Sequence, residues 1–297
     1  MDRVTIVEVG PRDGLQAEPA VLAVADRIEL VQRLAAAGAG RIEVASFAHP
    51  ERVPQMAGAE DICAALDPDR DWSAIGLVLN RYGLDRALAT SLDELNLVAY
   101  ASDGYSSRNT GNEADPRNAE VAALVAEAAS RGRRAGVTIA VAFGDPVDGE
   151  VPADRVAGIA ESMARAGAVE INLGDTIGCA VPSMVLERVE AVRRAAPGLP
   201  VRCHFHNTRN AGYANVMAAL EAGVDAIDAS LGGYGGSPFS PGAGGNVATE
   251  DLVWMLERMG RPTGLDLDRL IETSRWLASR LGDDHPKAML TTAGRFP

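Results

Sequence analysis

An α/β fold is what this sequence predicts: a TIM barrel of eight parallel strands, each followed by a helix, with additional C-terminal helices. Three observations point to it. Short β-like runs alternate with helical runs of about 10–15 residues, with no long linker between them, which implies right-handed βαβ units. Eight such runs can be counted, the number a closed α/β barrel needs. The doubly wound alternative lacks its mark, because VGPRDG after the first strand does not carry the spacing of a G-x-G-x-x-G turn.

The elements follow in order. VTIVEV (4–9) reads as a strand and 21–37 as a helix stopped by Gly38. RIEVASF (41–47) is the second strand, with a helical stretch near 54–66. SAIGLVLN (73–80), a short helix at 84–90 and LDELNLVAY (92–100) continue the alternation. A long alanine-rich helix over 114–135 precedes VTIAVAF (137–143), and 151–166 is helical. AVEINLGD (168–175), helix 182–195, LPVRCHFHN (199–207), helix 210–222 and VDAIDAS (224–230) complete the eight. A helix over 249–260 starts with Thr249 as its cap and Glu250 and Asp251 in its first turn. A further helix over 265–281 lies beyond the barrel. Residues 1–281 are expected to form one catalytic domain, and 282–297 a loose tail.

Composition narrows the function classes. Hydrophobic residues make up 47% of the 297, ordinary for a globular chain. A formal charge of -13 argues against nucleic-acid binding, which needs basic clusters on phosphate. No run of 18 apolar residues suits a membrane span, so no membrane partner is expected. MDRVTIVEVG reads as a first strand rather than a signal peptide, and Cys63, Cys179 and Cys203 have no framework spacing. A cytoplasmic setting is therefore expected. Lys287 is the only lysine, so carbon–carbon chemistry through an imine is disfavoured and a bound metal is the expected electrophile.

Barrel enzymes place their chemistry at the C-terminal ends of the strands. There the sequence offers Glu8 and GPRDG, then Glu43 and Ser46, Ser102 and Asp103, and Asp175 and Thr176. The seventh strand carries His204 and His206, two positions apart and so on one side of it. A divalent metal could take both histidines with Asp13, the best-placed carboxylate, and Asn246 as an amide ligand. Two ring side chains filling a barrel interior would give the same spacing. Cys203 alternates with the histidines and points away as a small buried filler. Past the eighth strand, seven glycines between 232 and 245 cost backbone entropy that is worthwhile where the chain closes over a ligand.

GPRDGLQAE (10–18), EVASFAHPERVPQM (43–56), NLGDTIG (172–178), HFHNT (204–208) and GGSPFSPGAGGNVATEDL (235–252) resemble the 3-hydroxy-3-methylglutaryl-CoA lyase family. That family is part of a larger group of metal-dependent TIM-barrel lyases and Claisen-type synthases. The resemblance implies cleavage of a 3-hydroxy-3-methylglutaryl thioester, or a closely related 3-hydroxyacyl-CoA, to acetyl-CoA and acetoacetate. It implies Asp13, His204, His206 and Asn246 as ligands of Mg or Mn, and Arg12 as the group facing the enolate-like oxygen. Glu43 and Asp175 match acidic residues near the metal and the substrate hydroxyl; Asp175 is taken as the proton acceptor with Glu43 orienting or relaying, and the two roles could be exchanged. Ser102 and Thr176 fall at substrate-pocket positions, and a homodimer is implied.

The match departs in one chemically important place. Ser237 stands where the family's signature loop carries a cysteine regarded as the acid near the enolate carbon, and a hydroxyl is a poorer proton donor than a thiol. AFGDPVDGE (142–150) also lacks a cysteine the family often has, and Pro19 replaces a basic residue. Ser237 is expected to relay the proton, or Cys179 to substitute for the missing thiol. Two other readings stay open: an enzyme condensing acetyl-CoA with a 2-oxo acid, and a non-catalytic protein that binds metal and CoA thioesters.

Overall fold

The computed structural model describes residues 3–236, 244–283 and 286–295. Eight parallel strands close into a barrel: β1 (Ile6–Glu8), β2 (Arg41–Ser46), β3 (Ser73–Val78), β4 (Glu94–Tyr100), β5 (Arg134–Ala140), β8 (Ile171–Asp175), β9 (Val201–Phe205) and β10 (Ala226–Ala229). Sequence neighbours pair throughout, and β10 returns to β1 through Ile6 opposite Ile227. An antiparallel hairpin, β6 (Gly144–Asp145) and β7 (Gly149–Glu150), follows β5.

The strands are buried on both faces, and the two faces differ. Along β4, Leu95, Leu97 and Ala99 point outward into the main hydrophobic core under the helices, while Glu94 and Asn96 point into the barrel. Along β9, Val201, Cys203 and Phe205 are outward and Arg202 and His204 inward, so Cys203 is the buried filler expected. The barrel interior holds a small apolar cluster of its own, Val7, Val9, Ile75 and Ala226.

Its N-terminal end is filled by charge. Arg41 pairs with Glu94 at 2.7 Å and Glu170 at 2.8 Å, and Arg202 meets Glu170 at 3.0 Å and Asp228 at 3.2 Å. Four of these five charged side chains are nearly or fully buried, and their mutual pairing offsets the cost of desolvating them. The plug seals one end of the barrel and leaves the other for a site.

The helices cover the barrel as their periodicity requires. Helix α6 (Ala153–Arg165) follows Pro152 and buries Val156, Ile159, Ala160 and Met163, one face at helical spacing, before Gly167 turns the chain at φ 100°. Helix α10 (Leu267–Leu281) is capped by Asp266, which accepts from the Arg269 N–H at 3.1 Å, and ends at Gly282. Among the described residues no helix is long and apolar enough to cross a membrane.

Three local readings change. The fifth strand runs 134–140 rather than 137–143, because Gly132 at φ 72° ends the preceding helix earlier than its alanine pattern indicates. Thr249 is not a cap: it is the first residue of α9 (Thr249–Arg258), and its hydroxyl donates to Glu8 at 2.6 Å. The C-terminal segment is docked rather than loose. The Ala288 N–H donates to the Gly232 carbonyl at 3.0 Å, and α11 (Met289–Ala293) is tied to α9 by the Met289 and Leu290 N–H groups, both 2.8 Å from Asp251.

Candidate active site

The site begins where β1 ends. Residues Gly10–Gly14 form one π-helical turn in which the N–H groups of Asp13 and Gly14 both reach the Val9 carbonyl. Such turns are rare overall but frequent at functional sites. Here the turn sets Arg12 and Asp13 side by side, with Arg12 Nη1 2.6 Å from Asp13 Oδ1. Glu43 comes to them from β2, where the register slips between Glu43 and Ala45. A bulge of this kind re-aims a side chain. Arg12 Nε donates to Glu43 Oε2 at 2.6 Å.

Asp13 also faces both histidines. His204 Nε2 lies 3.8 Å and His206 Nε2 3.9 Å from Asp13 Oδ2, and ligand atoms of the three residues lie within 4.8 Å of one another. Asn246 joins them through its Nδ2, which donates to Asp13 Oδ2 at 2.8 Å and to the Tyr234 carbonyl at 2.9 Å. Its Oδ1 is buried with no hydrogen-bond partner, an acceptor left over for a cation. Gly235, at φ 109°, lets the glycine-rich segment pass this close: a Cβ there would lie 2.3 Å from Asn246 Nδ2 and 3.3 Å from Asp13 Oδ2.

One carboxylate, two imidazoles and an amide oxygen, with no thiolate, suit a divalent metal of intermediate or hard character. The electrostatics fit as well. Burial alone would raise the Asp13 carboxyl, but Arg12, His204 and His206 outweigh it and hold the group well below the usual carboxylate range. Burial, reinforced by His204, pushes His206 down to about 3, so its ring is neutral and free to ligate. For His204, burial is outweighed by the hydrogen bond to Asp228 and the charge of Asp13, and its pKa rises.

Asp175 sits at the rim, at the end of β8, with the Cys179 N–H 2.8 Å from its Oδ1 and the Ala180 N–H 3.2 Å from each oxygen. Burial pushes its carboxyl up to about 6 despite these donors. Burial, then Asp175 itself, pushes the Cys179 thiol up to about 12.

Two expected pocket residues have their hydroxyls engaged by the protein. Ser102 caps α4 (Asp103–Thr110) by accepting from the Tyr105 N–H at 3.3 Å, and donates to Asp145 of the β6–β7 hairpin. Thr176 Oγ1 accepts from the Val141 N–H at 2.9 Å. Val141 has φ 51°, strained for a β-branched residue, and the Thr176 hydroxyl helps to hold it there. Ser237 lies outside the described residues. Glu8, at a strand end like the others, faces away from the cluster and accepts from the N–H groups of Gly10 and Leu231.

The sequence reading missed the polar layer beneath the cluster. Asn96, Thr138, Asn172 and Asp228 all project into the barrel, and Asp228 Oδ2 lies 3.2 Å from His204 Nδ1. Their signal was the parity of polar residues within otherwise apolar strands.

Comparison with known proteins agrees with the geometry. The family model described as HMGL-like matches residues 3–277. An (R)-citramalyl-CoA lyase of Chloroflexus aurantiacus is 44% identical, over 99% of this chain and 96% of its own. A hydroxymethylglutaryl-CoA lyase of Pseudomonas mevalonii is 37% identical, over 99% and 98%. The structure of an HMG-CoA lyase from Acinetobacter baumannii, in complex with coenzyme A and 3-methylmalate, superposes with a TM-score of 0.93 at 38% identity, over 99% of this chain and 95% of that one.

Proposed function

The chain belongs to the HMGL-like family of carbon–carbon lyases, and from that premise we propose that it cleaves 3-hydroxy-3-methylglutaryl-CoA to acetyl-CoA and acetoacetate. The observation that carries this reading is the buried cluster of Asp13, His204 and His206 with Arg12 and Glu43 against it. Asp13, His204, His206 and Asn246 would hold the metal, taken as Mg or Mn. A divalent cation in this cradle supplies Lewis acidity that lowers the pKa of the substrate's 3-hydroxyl.

The protein's own groups do the rest. Asp175, with a carboxyl near 6, is partly to mostly ionised at neutral pH and accepts the hydroxyl proton as C3–O becomes a ketone and the C2–C3 bond breaks. The bonding pair moves into the thioester, leaving an enolate of acetyl-CoA whose oxygen faces Arg12. Glu43 fixes the guanidinium, so its free N–H edge is aimed before the charge develops. Ser237, in the glycine-rich segment, relays a proton from water to C2 to complete acetyl-CoA, and Asp175 returns its own proton to solvent. Ser102 and Thr176 shape the wall of the acyl pocket through Asp145 and Val141. Coenzyme A is the thioester carrier on this reading, supported by its presence in the similar structure, and a homodimer is what the family resemblance implies.

A second substrate is favoured by one observation. The relative named for (R)-citramalyl-CoA is 44% identical, against 37% for a relative named for hydroxymethylglutaryl-CoA. Citramalyl-CoA differs by one methylene between the tertiary alcohol and the carboxylate, and the same bond cleavage would release acetyl-CoA and pyruvate.

The test is kcat/KM for both thioesters with the Mg- or Mn-loaded enzyme, beside Ser237→Cys. Acetoacetate release from the glutaryl substrate supports the first reading. Turnover confined to citramalyl-CoA transfers the assignment to the second. A rise in kcat on introducing cysteine would mark protonation at position 237 as limiting.

A further inference from the structure

Below the cluster the inward side chains of the barrel form one hydrogen-bonded circuit. Arg12 donates to Glu43, and Asn96 Nδ2 donates to the other oxygen of Glu43 at 2.8 Å. The Thr138 hydroxyl donates to Asn96 Oδ1 at 2.9 Å, and Asn172 Nδ2 donates to Thr138 Oγ1 at 3.2 Å and to Asp228 Oδ2 at 2.8 Å. Asp228 Oδ2 in turn lies 3.2 Å from His204 Nδ1, and His204 Nε2 faces Asp13, which Arg12 also holds. The circuit takes one residue or more from β2, β4, β5, β8, β10, β9 and the turn after β1.

The donors in this ring have a direction. Asn172 gives its amide hydrogens to Asp228 and Thr138, Thr138 gives its hydrogen to Asn96, and Asn96 gives a hydrogen to Glu43. Asp228, 4% exposed, therefore receives Asn172 and His204 on Oδ2, with Arg202 Nη1 3.2 Å from Oδ1. Asn172 gives Oδ2 a hydrogen, and Arg202 pairs with Oδ1 by charge, so the carboxylate stays an acceptor toward His204. In its neutral form His204 must then carry its proton on Nδ1, which leaves the Nε2 lone pair on the side of Asp13.

We propose that Asp228, held by Asn172 and Arg202, is a positioning residue that fixes the tautomer and ring orientation of His204. The same ring, through Asn96, aims Glu43 at Arg12, so one polar layer sets both halves of the site. The proposal rests on the metal-site reading above for its effect on affinity, but its statement about the tautomer does not.

The consequence of an amide at 228 follows from counting acceptors. Asparagine has a single oxygen: turned to Arg202, it puts its NH2 group in the place of Oδ2, against His204 Nδ1, with the Asn172 amide turned over to accept from it. The ring would then accept at Nδ1 and carry its proton on Nε2, the nitrogen that faces the cluster. Partners of this kind orient metal-ligating histidines, and their loss costs about 10–100-fold in metal affinity.

The experiment is 15N NMR of the imidazoles of the metal-free protein, at a pH where the His204 ring is neutral, with Mn(II) affinity by titration calorimetry, for wild type, Asp228→Asn and Asn172→Ala. The expected result is Nδ1–H at His204 in wild type, a switch to Nε2–H in Asp228→Asn, and Mn(II) affinity about 10–100-fold weaker. Asn172→Ala keeps the carboxylate and its Arg202 partner, covers the case in which Asp228→Asn does not fold, and should loosen binding several-fold. Nδ1–H unchanged in Asp228→Asn, or Nε2–H already present in wild type, overturns the proposal. The expected tautomer switch in a protein that binds no Mn(II) would sustain the positioning role and refute the metal reading instead. A change in melting temperature without a tautomer change would reduce Asp228 to a structural residue.

Discussion

Arg12 and Glu43 meet through two nitrogens on one oxygen, with Nε at 2.6 Å and Nη2 at 2.5 Å from Glu43 Oε2, which leaves Nη1 to Asp13. A guanidinium can serve both carboxylates because its donors lie in a fixed plane. Lysine is a point charge and can serve only one of them well. Arg12→Lys is therefore expected to lower kcat by about 10²–10³, as loss of a preorganised oxyanion donor does, and to lower the melting temperature as one buried carboxylate loses its hydrogen bonds. Steady-state kinetics beside thermal denaturation checks it, and near-normal kcat would remove Arg12 from the chemistry.

Asp175 ties activity to pH. With its carboxyl raised to about 6 by burial, the base form grows in as pH rises, so kcat/KM should climb through an inflection near 6. Asp175→Asn should lower kcat and lose that inflection. The stability effect has the opposite sense. The folded-state value lies above the ordinary 3.8, so the native state binds the extra proton and stability falls as pH rises between the two. Melting temperatures at pH 4.5 and 7 should therefore fall further in wild type than in Asp175→Asn.

The charged plug at the closed end of the barrel predicts a large stability effect far from the mouth. Arg202 is 1% exposed and meets both Glu170 and Asp228. Arg202→Met leaves buried carboxylate charge short of a partner, which costs about 3–5 kcal/mol. Urea denaturation reads that loss as a lower midpoint, and an unchanged midpoint would show that water or Arg41 compensates.

The glycine-rich segment is constrained at its stem. A Cβ at Gly245 would fall 1.7 Å from the Gly233 carbonyl oxygen, a backbone atom that cannot swing aside. The Gly245 carbonyl accepts from the Asn207 N–H at 2.8 Å, next to His206. Gly245→Ala is expected to shift Asn246 relative to Asp13 and cost about 10²-fold in kcat, as a displacement of about 1 Å can, while the barrel's circular dichroism is retained.

Much of this was legible in the sequence, for physical reasons. Helices with one buried face and strands rich in Val, Ile and Leu announce themselves by period, so the barrel could be read. His204 and His206 share a side because the strand repeat is two, and the glycine-flanked turn after β1 marked Asp13. The polar ring was not legible because barrel strands are buried on both faces, so an inward Asn or Thr looks like an interruption. Its partners are also distant in sequence, Asn172 and Asp228 by 56 residues. The docking of 286–295 was hidden because it depends on main-chain groups, such as the Ala288 N–H on Gly232, that carry no side-chain signature.

On the proposed function, a metal held by Asp13, His204, His206 and Asn246 makes this chain a carbon–carbon lyase. The most direct measurement is acetyl-CoA release from 3-hydroxy-3-methylglutaryl-CoA and citramalyl-CoA by the purified chain, after chelation and again after Mg(II) or Mn(II) is restored. No release is expected from the chelated protein, and recovered release on restoring the metal, with Asp13→Asn inactive throughout. Equal turnover by the chelated and the loaded protein, or none from either substrate with the metal bound, would contradict it.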